Sequence, residues 1–78
     1  MNWRDHIEQR PDVMLGKPVV KGTRLTVEQI LESLSEGATE ADLLAAHPRL
    51  RPEHIQAAMA FAAASFSTEM TVFQSARG

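Results

Sequence analysis

The sequence predicts a mainly α-helical domain, with three helices preceded by a short β-strand. Apolar side chains recur at helical spacing in three stretches, which Gly37 and Pro48 separate. The pair Val19-Val20 lies between glycines, as is typical of a short strand flanked by turns. The length of 78 residues suits one domain, and an apolar fraction of 44% is ordinary for a globular protein.

Composition divides the chain into three parts. Residues 1–12 are a polar N-terminal segment with Trp3 and Ile7 as isolated apolar anchors, residues 13–66 are the helical domain, and residues 67–78 are a C-terminal tail. The sequence contains no cysteine and no apolar run long enough to span a bilayer, and its polar start does not resemble a signal peptide. We therefore expect a cytoplasmic protein without membrane association.

The short strand is expected to lie at the edge of a sheet or to begin at Pro18. This proline, directly before Val19, lacks the backbone N–H that a central strand would donate. An exposed strand edge favours dimerisation. The small size of the domain favours it too, because a chain of this length buries only about 60% of the surface that its unfolded state exposes.

The first helix is predicted over residues 26–36. Thr26 and Gln29 have the spacing of a capping box, in which each side chain accepts a backbone N–H at the helix start. Gly37 is the expected residue after the helix end, where a left-handed backbone favours glycine. One apolar stripe faces the core and consists of Val27, Ile30, Leu31 and Leu34.

The second helix is predicted to follow Thr39 and to end before Pro48, because the residue preceding a proline avoids the helical region. Acidic side chains near its start suit the positive end of the helix dipole. Its apolar stripe is predicted to consist of Ala41, Leu44 and Ala45.

The third helix is predicted to begin at Pro52, a favoured first helical position. Leu50 and Ile55 are spaced as a hydrophobic staple across that start, although Arg51 is a poor N-cap. One apolar stripe consists of Ile55, Ala58, Met59, Ala62 and Phe66.

A second apolar stripe lies on the other side of the third helix. A helix that is apolar nearly all round is buried on both sides. In so small a domain, we expect the second side to contact another chain. This predicted dimer or partner interface consists of Ala57, Ala60, Phe61 and Ala64.

No constellation of residues indicates an enzyme. The Gly16-Lys17 pair lacks the spacing of a phosphate-binding loop, and there is no nucleophile motif. The histidines do not have the spacing of a zinc site. We therefore expect no catalytic residue, no metal and no cofactor.

The second and third helices, with the turn at residues 47–51 between them, have the pattern of a helix-turn-helix motif. The start of the third helix would then face the major groove of DNA, where arginine and glutamine contact guanine and adenine. Basic residues around the strand would contact phosphates. The predicted DNA-binding residues are Lys17, Lys21, Arg24, Arg49, Arg51, His54 and Gln56.

The same residues allow other interpretations. Arg24 could pair with a carboxylate such as Glu28 or Asp42, and the lysines could protect an edge strand from pairing with other chains. A three-helix unit that does not bind DNA has the same pattern. A formal net charge of −2 argues against indiscriminate binding to nucleic acid.

The stretch from Val13 to Phe66 closely resembles domain-of-unknown-function family 433. The family pattern opens with Gly-Lys-Pro, two apolar residues, any residue and Gly-Thr-Arg, and it stands here as GKPVVKGTR. A helix that ends in glycine follows. The matches are Gly16, Lys17, Pro18, Gly22, Thr23, Arg24, Thr26, Val27, Ile30, Leu34, Gly37, Pro48, Leu50, Ile55, Ala57, Ala58 and Ala62.

The resemblance implies a homeodomain-like helix-turn-helix domain preceded by short strands. Members of this family are regarded as VapB-like antitoxins, often encoded beside a PIN-like ribonuclease toxin. The chain would then neutralise such a toxin and bind its own promoter DNA as a dimer. The alternative is an interaction module or a transcriptional regulator without a toxin partner.

The tail offers a means of blocking such a toxin. PIN-like nucleases gather carboxylates around a divalent metal, as the resemblance implies for the supposed partner, and a cation can bind among those carboxylates. Ordering a tail on binding costs about 2–5 kcal/mol, which a few buried apolar anchors can offset. The predicted toxin-binding residues are Met70, Val72, Phe73 and Arg77.

Overall fold

The structure, a computed structural model, describes the backbone of residues 2–77 and the side chains of residues 2–67. Two single turns of 3₁₀-helix, Trp3–Asp5 and Met14–Gly16, precede the two strands. The predicted class, mainly helical with three helices after a short strand, is confirmed. In chain order, the strands and α-helices are β1 (Ile7–Glu8), β2 (Val19–Val20), α1 (Val27–Ser35), α2 (Glu40–Ala46) and α3 (Pro52–Arg77).

Strand β2 belongs to a two-stranded sheet, and the backbone is hydrogen-bonded on both of its sides. On one side it pairs antiparallel with β1, so that Ile7 is opposite Val20. On its other side the chain returns, and the Val20 N–H donates to the Leu25 carbonyl oxygen at 3.0 Å. The expectation of an exposed strand edge is therefore wrong. Pro18 comes before the strand, so its missing N–H removes no bond from inside it.

Helix α1 begins and ends as predicted. The Gln29 N–H donates to Thr26 Oγ1 at 3.0 Å, and the Thr26 N–H donates to Gln29 Oε1 at 2.9 Å, which completes the capping box. At the other end Gly37 has a φ of 100°. The Ala38 N–H then reaches back to the Ser33 carbonyl oxygen at 3.0 Å, as in a Schellman motif.

Helix α2 begins with a second capping box, between Thr39 and Asp42. The Thr39 N–H donates to the Asp42 carboxylate at 2.9 Å. Hydrogen bonding from this N–H, and then from the Thr39 side chain, holds the pKa of Asp42 below its ordinary value. The N-terminus of the helix is thus secured without help from the core.

The buried side of α2 differs from the predicted one. Leu43 is buried and Leu44 is half-buried, whereas Ala41 and Ala45 are exposed. The predicted stripe is therefore confirmed at Leu44, which packs against the core, and wrong at Ala41 and Ala45. A helix of seven residues makes only two turns, so its apolar spacing fits more than one face equally well.

Helix α3 starts at Pro52, as predicted, and continues past Phe66 to Arg77. His54 compensates for the poor N-cap, because its Nδ1 accepts the Arg51 N–H at 3.0 Å, as a Glu or Gln does in a capping box. Over residues 2–77, no helix has both the length and the apolarity that crossing a membrane needs. The tail residues predicted to bind a toxin have side chains outside the described residues: Met70, Val72, Phe73 and Arg77.

The core forms where α1 and α3 pack against each other and against the N-terminal segment. Trp3 contacts Phe61 edge-on, with ring centroids 4.8 Å apart. The N-terminal segment therefore covers one side of α3 and packs as part of the helical domain. One cluster of buried side chains forms this core: Ile7, Val20, Val27, Ile30, Leu43, Leu50, Ile55, Ala57 and Ala58. Val19 is fully buried as well.

Candidate functional site

A crevice of about 500 Å³ lies between the turn that follows β2 and the connection from α2 to α3. Arg24 comes from the turn and Arg49 from the connection. No acidic side chain is among its lining residues, so two cations share a concave surface without a built-in counter-charge. The lining residues are Thr23, Arg24, Leu25, Gln29, Ala46, His47, Pro48, Arg49 and Leu50.

The Gly-Thr-Arg motif builds one wall of this crevice. Gly22 has a φ of 77° at the third position of a β-turn closed by the Thr23 N–H, which donates to the Val20 carbonyl oxygen at 3.0 Å. The Thr23 hydroxyl donates to the same oxygen at 2.8 Å and accepts the Leu25 N–H at 3.1 Å. Glycine and threonine thus hold the turn, and Arg24 is left to project from it.

Arg49 links the two walls. Its Nη1 donates to the Gly22 carbonyl oxygen at 3.4 Å, a long hydrogen bond between an exposed side chain and the turn. In the described part of the chain, the Arg24 side chain has neither a hydrogen bond nor an ion pair and is exposed. A bound anion would therefore meet one guanidinium that is tethered at the backbone and one that is free to move.

The two carboxylates that the sequence offers as partners for Arg24 are engaged elsewhere. Glu28 accepts from Lys17 Nζ at 3.1 Å, and Asp42 caps α2 through Thr39. The interpretation of Arg24 as half of an ion pair with either of them is therefore wrong.

A second concave surface, of about 370 Å³, adjoins the first and shares Arg24 and Arg49 with it. Arg10 adds a third guanidinium, which pairs with Asp12 at 3.4 Å, and Glu8 is the acidic residue in the lining. Both members of the Arg10–Asp12 pair are largely exposed, so this ion pair is weak. The basic surface extends from the crevice towards the N-terminal segment.

His54 faces the protein and not the crevice. Its ring lies edge-on to that of His6, with centroids 5.4 Å apart, while Nδ1 accepts the Arg51 N–H. Partial burial, followed by the nearby His6, lowers the pKa of His54. A neutral ring already committed to a cap is poorly placed to contact a base edge.

The other predicted DNA-binding residues lie apart from the crevice lining. Lys17 pairs with Glu28 and lines a groove between α1 and α3. Lys21, Arg51 and Gln56 are exposed. Within residues 2–67, no group of three His, Asp or Glu side chains is arranged to hold a metal ion.

The sequence profile of a family described as "Protein of unknown function (DUF433)" matches residues 7–62. The chain belongs to the DUF433 family. The matched range begins in β1 and ends in α3, so it contains every residue that lines the arginine crevice. The resemblance carried by the Gly-Thr-Arg motif is confirmed.

Two relatives extend this result. The uncharacterized protein y4eO of Sinorhizobium fredii (strain NBRC 101917 / NGR234) is 36% identical over 62 residues, which are 80% of this chain and 28% of that protein. The crystal structure of a DUF433 member protein from Anabaena variabilis ATCC 29413 is 29% identical, with a TM-score of 0.72. The match covers 74% of this chain and 57% of that one. This DUF433 chain thus corresponds to only part of each relative.

The structure also shows where the predicted partner interface lies. Ala57 is fully buried in the core and has no surface for a partner, which corrects the prediction at that position. Phe61 packs on Trp3, Ala60 is half-buried and Ala64 is exposed. Periodicity along α3 could not reveal that the N-terminal segment covers part of this stripe. That segment shows no helical or strand pattern of its own.

Arg10 is the site residue that sequence reasoning missed. It lies in a polar segment without periodicity, where no motif marks it. The sequence did mark Arg24, because it directly follows Gly22 and Thr23, the two residues that shape the turn. Arg49 was marked as well, by its position within the turn between two helices.

Proposed function

We propose that this DUF433 protein binds DNA as a dimer through the arginine crevice and acts as the antitoxin of a PIN-like ribonuclease toxin. One observation carries the DNA-binding part. Arg24 and Arg49 line the same concave surface, beside the connection between α2 and α3, and no carboxylate lines that surface with them.

Guanidinium groups suit phosphate oxygens because they present a planar fork of N–H donors and stay charged. Phosphate contacts set the position and orientation of a protein on the duplex. The formal net charge of −2 gives the whole molecule no attraction to DNA. Binding then depends on this local surface, with Lys21 and Arg51 as exposed cations on the adjoining segments.

Base recognition is assigned to the start of α3. Gln56 and Arg51 are exposed there and carry the donors that reach adenine and guanine in the major groove. His54 is left out of this role because its ring caps the helix. A helix-turn-helix formed by α2 and α3 is the arrangement that would bring these side chains to the groove.

The antitoxin part rests on membership of the DUF433 family and on the VapB-like role that the resemblance implies for its members. A cation supplied by this chain would bind among the carboxylates of the toxin's metal site. Arg77 and the apolar tail residues Met70, Val72 and Phe73 are the proposed contacts.

Promoter binding tests the first part. We expect fluorescence anisotropy with a labelled fragment of the chain's own promoter to show saturable binding. The Arg24→Ala/Arg49→Ala double variant should bind it at least about tenfold more weakly, as loss of two phosphate contacts implies. Arg4→Ala is the matched control, since Arg4 lies over the Trp3 ring and lines neither crevice. Equal binding by all three proteins would contradict the proposal.

Co-expression with the product of the adjacent gene tests the second part. A complex that co-purifies and has suppressed nuclease activity is expected, and removal of residues 67–78 should restore that activity. Full inhibition by the truncated chain would exclude the tail from this role. Failure of both experiments would leave a protein-interaction module, which an apolar groove between α1 and α3 favours.

A further inference from the structure

The turn Met14–Gly16 holds an apolar side chain in solvent in an unfavourable backbone conformation. Met14, Leu15 and Gly16 have φ values of 48°, 58° and 82°. Only glycine adopts this left-handed region without steric cost. Leu15 is nevertheless 94% exposed and Met14 is 38% exposed, so burial inside this chain does not compensate for the strain at Leu15.

A groove of about 350 Å³ between α1 and α3 is suited to receive an apolar side chain such as Leu15. Leu31 from α1, and Phe61 and Phe66 from α3, give it apolar walls, and Phe66 remains 60% exposed. Charged side chains line it as well: Lys17, which pairs with Glu28, and Glu32.

The protruding leucine and the groove lie close together along the chain. Lys17 and Pro18 line the groove, and Leu15 precedes them by two and three positions. Leu15 does not fill its own groove, given its exposure. A projecting side chain and a cavity carried by neighbouring segments of one chain can pair reciprocally in a two-fold dimer, in which each copy presents the same patch.

The groove also carries charged groups of opposite sign that could pair between two copies, namely the Lys17 ammonium and the Glu32 carboxylate. In the part of the chain that the structure describes, Glu32 has no ion-pair partner, while the exposed Lys17 is held only by a surface ion pair. A two-fold pairing that places Lys17 of each copy beside Glu32 of the other would add an ion pair across the interface.

We propose that a second copy of this chain occupies the groove and that Leu15 of each copy inserts between α1 and α3 of the other. This deepens the proposed function, because it gives the surface by which a dimeric DNA-binding protein would pair. It keeps Phe61 from the interface predicted on the second stripe of α3 and leaves out Ala57, Ala60 and Ala64. The test needs no DNA, so its failure is distinguishable from failure of the arginine crevice.

Sedimentation velocity over a concentration series measures the dimer directly. Leu15→Asn suits this test, because asparagine tolerates left-handed backbone and the exposed leucine supports no packing within one chain. We expect the dimer dissociation constant to rise at least about tenfold, as loss of a buried leucine contact implies. The monomer should keep its helical circular dichroism and thermal stability.

Met59→Gln is the matched control. Met59 is 45% exposed on α3 and does not line the groove, so this change removes apolar surface without touching the proposed contact. It should leave the dimer unchanged. A wild-type chain that is monomeric throughout, or a dimer that Leu15→Asn does not weaken, would overturn the proposal.

Cross-linking gives a second measurement, for which the absence of cysteine is convenient. A Leu15→Cys chain mixed with a Phe66→Cys chain should form a mixed product with a short bis-maleimide, and Met59→Cys in place of Phe66→Cys should not. A chain that stays monomeric but forms a Leu15-dependent complex with the toxin would assign the groove to that partner and overturn the dimer.

Discussion

The imidazole rings of His6 and His54 lie edge-on with their centroids 5.4 Å apart, and Nδ1 of His54 accepts the Arg51 N–H at 3.0 Å. His54 therefore joins the N-terminal segment to the start of α3. Only a neutral ring has a free lone pair on Nδ1 for that cap. Partial burial and the neighbouring His6 favour the same form, because both lower the pKa of His54.

We expect the free energy of unfolding to decrease as the pH falls below about 6.5, the ordinary pKa of histidine. The folded-state pKa of His54 is lower than its unfolded value, so the unfolded chain binds the proton first. Stability is fully present above the unfolded pKa and is lost as the pH falls through the folded pKa. Urea unfolding followed by the fluorescence of Trp3, the one tryptophan, measures this at several pH values.

His54→Gln isolates the contribution of this ring. Glutamine can accept the Arg51 N–H from the same helical position but does not titrate. The variant should show a flatter dependence of stability on pH, whereas His47→Gln, outside the pair, should keep the wild-type dependence. If His54→Gln follows the wild-type curve, another group controls the acid sensitivity.

Gly22→Ala should destabilise the turn that presents Arg24. No atom lies within 4 Å of an added Cβ, so the cost comes from the φ of 77° alone. We expect a loss of about 1–2 kcal/mol, which lowers the melting temperature of a domain this size by roughly 4–8 °C per kcal/mol. Gly22→Asn should cost less, because asparagine tolerates this conformation. Equal losses for the two variants would place the cost elsewhere.

Trp3→Ala should show that the N-terminal segment is part of the folded domain. The change removes the edge-on contact with Phe61 and exposes the side of α3 that Trp3 covers. Because Trp3 is half-buried, we expect a loss of about 2–3 kcal/mol, somewhat below the range for fully buried tryptophan. Thermal unfolding followed by circular dichroism measures it. Arg4→Ala, which removes the guanidinium 4.5 Å above the Trp3 ring together with its aliphatic stem, should cost less than about 1 kcal/mol.

The salt dependence of promoter binding should distinguish the arginines. Each phosphate contact contributes about 0.9 to the slope of log K against log salt. Arg24→Ala and Arg49→Ala should each reduce that slope by about this amount, as should Arg51→Ala if Arg51 contacts phosphate. Arg10→Ala should reduce it less, since Arg10 lines only the adjoining surface, which Glu8 also lines. An unchanged slope would remove the residue concerned from phosphate binding.

Local sequence alone determined where the three helices begin and where α1 and α2 end, but not that α3 continues to Arg77. Thr26 with Gln29, Gly37, and Pro52 act within one or two helical turns of themselves, so their hydrogen bonds and backbone angles do not depend on distant parts of the chain. The turn formed by the Gly-Thr-Arg motif is likewise determined by local sequence. This motif identified Arg24 as a candidate site residue and indicated the family.

Tertiary structure decided which faces are covered and which side chains meet. Ile7 pairs with Val20, and Trp3 covers Phe61, through contacts between parts of the chain that are far apart in sequence. The return of the chain at Leu25 covers the second side of β2, which was expected to be exposed. Packing of the whole domain buries Ala57, which was expected at a partner surface. The arginine crevice also depends on tertiary structure. Arg24 and Arg49 share it only because α1 and α2 bring the two turns together. Periodicity reports that a side chain is apolar and on which side of its helix it lies, whereas packing of the whole chain selects what covers it.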